Sequence, residues 1–334
     1  MPLISVLIPC FNVSEYLDET MASLLAQTEK RFEVLLLDDG STDNTSVLLQ
    51  QWQAVDPRIR VLTHEQNKGI IAARNTLLSE AKGEFLAWLD ADDIARADRL
   101  EKQYAYLNSD QKAVAVSCEY VEFDDVSEVY RARQARDVSA DALLFYNYVL
   151  NPGSMVRSDV IHQHGITFDE SLAGASDYQF WVDVSKVGKI GMIHEPLMRY
   201  RRHEAQESTA QIGRQLRGCQ QIVLRQLEEL GITGMTTDDM AQFLIYPADI
   251  LKLPYSTGSM KKSCHAGRQL LRLLPQRQYG DYAKELTLHL LRRHAVRSGI
   301  AGLFHYISVA GLTTFLQGRH FGLSLFMDCL RKKY

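Results

Sequence analysis

The stretch Phe85-Leu86-Ala87-Trp88-Leu89-Asp90-Ala91-Asp92-Asp93 decides the fold. Five apolar residues in a row read as a strand buried on both faces, the kind found inside α/β sheets. The run stops on Asp90, Asp92 and Asp93, whose repulsion and desolvation are costly unless a cation neutralises them. Oxygen-only ligands suit a hard divalent ion that keeps waters and shares a substrate's phosphates. One reading is therefore a metal–diphosphate site at the strand end. The other is an acidic turn capping the next helix.

Outward from that segment, strand and helix signals alternate. Ile4–Ile8, Phe32–Leu37 and Ile59–Thr63 read as strands, separated by helical spacing over about 15–27 and from Thr42 or Asp43 to about Ala54. Asn67-Lys68-Gly69 is a turn, and a helix is expected over 70–81. Such alternation predicts a mostly parallel sheet flanked by helices, with ligands outside the carboxyl ends of its strands. Pro9–Asn12, Asp38–Asp39 and Asp90–Asp93 all fall at such ends. Further on, a helix is expected over about 99–108, strands at Ala113–Cys118 and Ile190–His194, and a helix from near Asp177 to Lys186. The acidic stretch 119–128 and the region up to Asn151 carry no clear period. From about Gln206 the chain reads as helical to its end, with breaks near Gly231–Gly234, Pro254 and Pro275.

The 334 residues suit a core domain with an appendage, and 46% apolar with 23% charged residues is a globular composition. Five scattered cysteines without a CxxC pair point to a reducing compartment and away from a thiolate zinc site. The start Met1–Ile8 has no basic segment and Pro9 interrupts its apolar run, so a cytoplasmic location is expected. The net charge of −4 hides two halves: residues 211–334 carry 17 Lys/Arg against 8 Asp/Glu, and residues 1–210 carry 20 against 33.

Several chemistries are disfavoured. A dinucleotide fold needs GxGxxG after its first strand, where this chain has Pro9-Cys10-Phe11-Asn12-Val13-Ser14, and no GxxxxGK[ST] is present. An EF-hand beginning at Asp90 fails because Ile94 and Ala95 stand where an oxygen ligand and a glycine are required. Phosphates would then be met by metal and by basic side chains such as Lys68 and Arg74, although Lys68 equally fits a solvated helix face. Asp38 and Asp39 can accept from a base N–H or a ribose hydroxyl, or simply form an acidic turn whose Ser41, Thr42 or Asp43 caps the next helix.

Together these residues resemble the ordered motifs of the family 2 glycosyltransferases. The matching segments are Pro9-Cys10-Phe11-Asn12, Asp38–Asp43, Asn67-Lys68-Gly69 with Ala73-Arg74-Asn75, and Asp90-Ala91-Asp92-Asp93. Gly153-Ser154-Met155-Val156-Arg157 is similar to the acceptor-side strand. Ser176-Asp177-Tyr178 is similar to the base motif, which usually begins with Glu, and Tyr200-Arg201-Arg202-His203 to the closing Tyr-Arg-x-His. The resemblance covers roughly residues 3–208. It implies a GT-A fold, a nucleotide-sugar donor with a UDP-sugar favoured, Mg²⁺ or Mn²⁺, and inversion at the anomeric carbon.

By the same resemblance, Pro9, Phe11, Asn12, Asp38, Asp39, Lys68, Gly69, Arg74, Asp90 and Ala91 would line the donor site, with Asp39 on the base and Asp90 on the ribose or the metal. Asp92, Asp90 and His203 would hold the metal, Gly153, Ser154 and Met155 would stand on the acceptor side, and Asp177 would be the general base. Read alone, Asp177 is better taken as a helix N-terminal cap, and His203 fits a loop or core histidine nearly as well. Processive members carry Gln-x-x-Arg-Trp after the base. This chain has none, its only tryptophans being Trp52, Trp88 and Trp181, so addition of a single sugar is expected.

The expected division is a catalytic domain over 1–208 and a basic α-helical region over 209–334. Residues 261–333 hold 13 basic groups against Asp281, Glu285 and Asp328, and residues 298–318 carry no Asp, Glu, Lys or Arg. Four glycines and several polar residues make that run a poor membrane span. Two readings stay open: an interfacial helix drawn to anionic lipid at the inner face of the cell membrane, or a helical packing domain with a basic outer face. No nucleic-acid-binding motif accompanies the charge. The expected activity is a non-processive glycosyltransferase acting on a saccharide or lipid-linked acceptor in cell-surface polysaccharide synthesis. A sugar nucleotidylyltransferase, or a sugar-nucleotide-binding protein without turnover, is the alternative.

Overall fold

Apolar runs that cannot face water on either side assemble the first half of the sheet. In the computed structural model, which describes residues 2–131, 137–138, 142–144, 146–172, 174–203, 212–237, 265, 267–270 and 272, β1 (Ile4–Cys10), β2 (Phe32–Asp38), β3 (Ile59–Thr63) and β4 (Phe85–Trp88) pair in the parallel order β3-β2-β1-β4. Every residue of β1 and β2 is buried, as expected of strands covered on both faces. Their polar members are partnered: the Ser5 hydroxyl donates to Glu33 at 2.6 Å and accepts Gly83 N–H at 2.8 Å. The connecting helices are α1 (Leu17–Leu25), α2 (Thr45–Val55) and α3 (Ile70–Glu80), close to the spans the apolar spacing predicts.

β1 runs two residues further than its sequence suggests and takes in Pro9. Side chains and ladder groups repeat every second residue along a strand. The Leu7 carbonyl faces β4, where it accepts Leu89 N–H at 3.2 Å, so Pro9 faces the same way. The β1–β4 register ends at Leu7↔Trp88, so the proline's missing donor interrupts no bond there.

The second half of the sheet is mixed. β5 (Ile94–Ala95), α4 (Arg99–Ser109), β6 (Ala113–Phe123) and the exposed edge strand β7 (Glu128–Arg131) follow β4. After β8 (Asp137–Val138) come β9 (Met155–Arg157), α5 (Ser158–His164), α6 (Ser176–Val187) and β10 (Lys189–Arg201). The path continues β4-β9-β6-β10-β5, with β9 antiparallel to both neighbours and β6 parallel to β10. The acidic stretch with no clear period is the β6–β7 hairpin, turned by Asp124, whose Oδ1 accepts the N–H groups of Val126 and Ser127.

β10 spans 13 residues rather than the five expected, because register shifts around Pro196 let it bend and continue. That extension carries Arg201 and His203 to the acidic end of β4. α7 (Ile212–Glu229) ends just before Gly231, whose φ of 77° is one most side chains avoid. The chain divides into two compact units, one of Met1–Ser139 with Asn147–Gln215, the other of Ala140–Tyr146 with Leu216–Tyr334. Among the described residues no helix is long and apolar enough to cross a membrane, and residues 298–318 lie outside the described residues.

Candidate active site

The three carboxylates after β4 face different partners. Asp90 Oδ1 lies 3.7 Å from the Arg74 guanidinium. Asp92 Oδ2 lies 2.9 Å from His203 Nε2. Asp93 is fully buried, and its Oδ1 accepts Arg201 N–H at 2.9 Å. Burial, then the neighbouring Asp92 and Asp90 charges, push the Asp93 carboxyl well above the usual carboxylate range. Asp93 therefore latches the end of β10 and turns away from solvent.

Arg201, which the sequence offers only as a motif letter, does much of this positioning. Its side chain donates to the Asp92 carbonyl at 2.9 Å, pairs with Glu19 on α1, and lies over the rings of Tyr16 and Phe123. Tyr16 in turn packs on the His203 ring at 4.7 Å.

The loops after β1 and β2 are tied together. Asn12, at φ 53°, accepts Thr42 N–H on its side-chain oxygen at 2.8 Å, and Ser14 N–H donates to Asp43. Burial alone would raise the Asp43 carboxyl, but donors from Thr45 and Ser14 bring it down to about 2. Gly40 has φ 72°, and a Cβ there would sit 2.6 Å from the backbone nitrogen of Asn67, so only glycine fits this close approach. Asp38 is buried and accepts Ser41 N–H at 2.9 Å. Phe11 is 44% exposed beside these loops.

Asp39 is buried, and both of its oxygens already accept inside the protein. Oδ1 takes Lys68 N–H at 3.0 Å and meets His64 Nδ1 at 2.6 Å, while Oδ2 takes Gly69 N–H at 2.8 Å. The carboxylate clamps the turn that opens α3, where the helix dipole favours negative charge. Lys68 projects an exposed side chain from that turn. One helical turn on, Arg74 lies over the Phe168 ring at 5.4 Å and leaves its Nε buried without a partner. Asn75 pins the Phe168 segment through two backbone bonds of 3.0 and 2.8 Å.

Asp177 lies in the first turn of α6, half-buried, with Oδ2 3.3 Å from Asn147 Nδ2. Burial pushes its carboxyl up, and the Arg74 charge opposes this. Arg74 thus stands in the fields of both Asp90 and Asp177.

Other expected site residues are buried. Gly153, Ser154 and Met155 lie in the core: Ser154 and Met155 are 0% exposed, and the Gly153 carbonyl accepts from Gln103 at 2.8 Å. A side chain at Gly153 would meet Leu150 at 2.8 Å. Pro9 and Ala91 are buried, and the Ala91 carbonyl accepts from Thr20 at 2.9 Å, so neither presents a side chain to a ligand.

Arg99, which the sequence shows only as the start of a helix, is a fully buried cation behind the acidic segment. It donates to the Trp88 carbonyl at 2.5 Å and the Ser154 carbonyl at 3.3 Å. Burial lowers its pKa to about 10.

Among the described residues no three His, Cys, Asp or Glu side chains gather as a closed metal site. Asp92 and His203 converge, the carboxylate meeting Nε2 at 2.9 Å. That pair fits a hard ion whose remaining ligands are water and substrate phosphate.

The profile described as Glycosyl transferase family 2 matches residues 5–168. Glycosyltransferase GlyG of Streptococcus pneumoniae serotype 4 is 30% identical over 225 residues, covering 60% of this chain and 71% of that protein. Chondroitin synthase of Escherichia coli is 29% identical over 243 residues, covering 70% of this chain and 34% of that protein. The solved structure of S. aureus TarS 1-349 in complex with UDP-GlcNAc shares the fold, with a TM-score of 0.62 at 18% identity over 88% of this chain and 90% of that one. With its sheet order, the acidic end of β4 and these similarities, the chain belongs to the family 2 glycosyltransferases and has the GT-A fold.

Proposed function

We propose that this glycosyltransferase moves one sugar from a nucleotide-diphosphate sugar, a UDP-sugar being favoured, to a hydroxyl of a saccharide or lipid-linked saccharide, with inversion, during synthesis of a cell-surface polysaccharide. The observation that carries the reading is the place of Arg74 between Asp90 at the end of β4 and Asp177 at the start of α6. The guanidinium lies 3.7 Å from the strand-end acid and its charge acts on Asp177, so a donor site and a proton acceptor would be neighbours. The relation to chondroitin synthase supports a polysaccharide product.

In this reading Asp177 takes the proton from the acceptor hydroxyl as oxygen attacks the anomeric carbon. A base on the attacking face suffices for a single displacement. Asp90 faces the ribose, and the exposed Lys68 ammonium meets diphosphate charge. Asp92 and His203 would hold Mg²⁺ or Mn²⁺, which when bound would supply positive charge beside a leaving diphosphate. The net charge of +9 over residues 211–334 favours an anionic surface and supports a peripheral position at the inner face of the membrane.

A thermal-shift screen of UDP-, GDP- and dTDP-sugars tests the donor class. A ligand at about 100 times its Kd adds about 2.7 kcal/mol of stability. UDP-sugars are expected to raise Tm by several degrees with Mn²⁺ and by less without it. Failure of every nucleotide sugar to move the transition would refute the reading.

A further inference from the structure

We propose that His64 is a positioning residue for the donor, acting through Asp39 on the Lys68–Gly69 turn. The inference rests on the nucleotide-sugar reading above and deepens it. Both side chains are almost wholly buried, and His64 Nδ1 stands 2.6 Å from Asp39 Oδ1. The other ring nitrogen, Nε2, is 3.2 Å from the Thr76 hydroxyl on α3. The ring is thereby held at both ends, one end on the end of β2 and the other on the helix that the turn begins. His64 N–H also donates to the Asp38 carbonyl at 2.9 Å, so backbone and side chain both bind the end of β2.

The consequence follows from counting acceptor sites. A carboxylate offers about four lone-pair directions. In Asp39 three are occupied, by His64, Lys68 N–H and Gly69 N–H. The two backbone bonds tie the carboxylate to the turn, and the imidazole adds a third contact from the end of β3. Outer-shell partners of metal ligands change metal affinity about 10–100-fold when removed, and a buried partner that orients a site carboxylate is expected to act on the low side of that scale. Gly69 has φ 90° and no neighbour within 4 Å of where a Cβ would stand, so no side-chain packing at that position adds to the hold on the turn. Without His64, Asp39 and the Lys68 backbone lose their register, and the exposed Lys68 ammonium loses its fixed approach to a diphosphate.

The test uses the full chain with Mn²⁺ and UDP or GDP as probes. In His64→Leu, Kd for UDP and KM for the donor are expected to rise about 10-fold with kcat within about 3-fold. In His64→Asn, whose amide can still donate to Asp39, most of the affinity should return. In the wild type, ¹⁵N resonances of the His64 ring should shift when UDP is added, a signature that a purely structural histidine would not give.

Unchanged UDP affinity in His64→Leu, or a His64 ring indifferent to UDP, would overturn the proposal. Should His64→Leu fail to fold, Thr76→Val, which frees one end of the ring, and the wild-type titration decide it on the same terms. If the wild type binds neither UDP nor GDP, the donor reading itself falls, and the role of His64 falls with it.

Discussion

Replacing Asp177 by asparagine should lower sugar transfer about 10³-fold while leaving donor binding unchanged and Tm at or above that of the wild type. The size follows from general-base catalysis, which typically contributes 10²–10⁴-fold. The stability effect follows from the sign of the shift. Burial raises the Asp177 carboxyl above its ordinary value, so the folded chain holds that proton more tightly than the unfolded chain does. The group therefore favours the fold as pH falls through its folded pKa, and ionising it at neutral pH works against the fold.

Asparagine keeps the shape and the Asn147 neighbour but cannot ionise, so it removes that burden together with the base. The same shift predicts that the acid limb of the wild-type pH–rate profile lies above the usual carboxylate range, held from rising further by Arg74. Donor affinity, Tm and initial rates measured on one preparation check all three statements. Transfer within 10-fold of wild type in Asp177→Asn would reject the base assignment.

Asp92→Asn is expected to cut transfer about 10²–10³-fold, the usual cost of losing one charge-stabilising group at a reacting centre. Its Mn²⁺-dependent gain in donor affinity should disappear. Asparagine can keep a hydrogen bond to His203 at the observed 2.9 Å, so the loss reports charge rather than geometry. Asp93→Asn makes the contrasting case. Asp93 faces inward to Arg201 N–H, so this change should leave the Mn²⁺ dependence of donor affinity in place. Calorimetric titration of UDP with and without Mn²⁺ against the two variants separates the roles.

That contrast also marks what could be read from the chain and what could not. The parallel half of the sheet was legible because its strands are unbroken apolar runs, for which burial on both faces is the only stable outcome. The acidic end of β4 was legible for the same reason, since three carboxylates at a buried strand's end require partners. Their separate fates were not. Asp92 and Asp93 are adjacent and chemically alike, and what distinguishes them is the last residues of β10, more than 100 positions away. The irregular pairing near Pro196 hides that reach from any local period.

Gly153, Ser154 and Met155 carry small or flexible side chains that suit a surface or a core equally; Met155 is buried by the central position of β9, and Gly153 and Ser154 by the turn that leads into it. Arg99 and His64 carry no signal in the sequence, because a charged residue at a helix start and a histidine after a short strand are ordinary surface features. Their burial depends on the backbone carbonyls and the carboxylate that the fold brings to them.

The anomeric configuration of the first-formed product is the most direct test that one carboxylate drives one displacement. Starting from an α-linked UDP-sugar, the anomeric proton coupling followed by NMR during transfer or slow donor hydrolysis should show the β product before any mutarotation. Release of the α product would contradict a single-step reaction with Asp177 as its base.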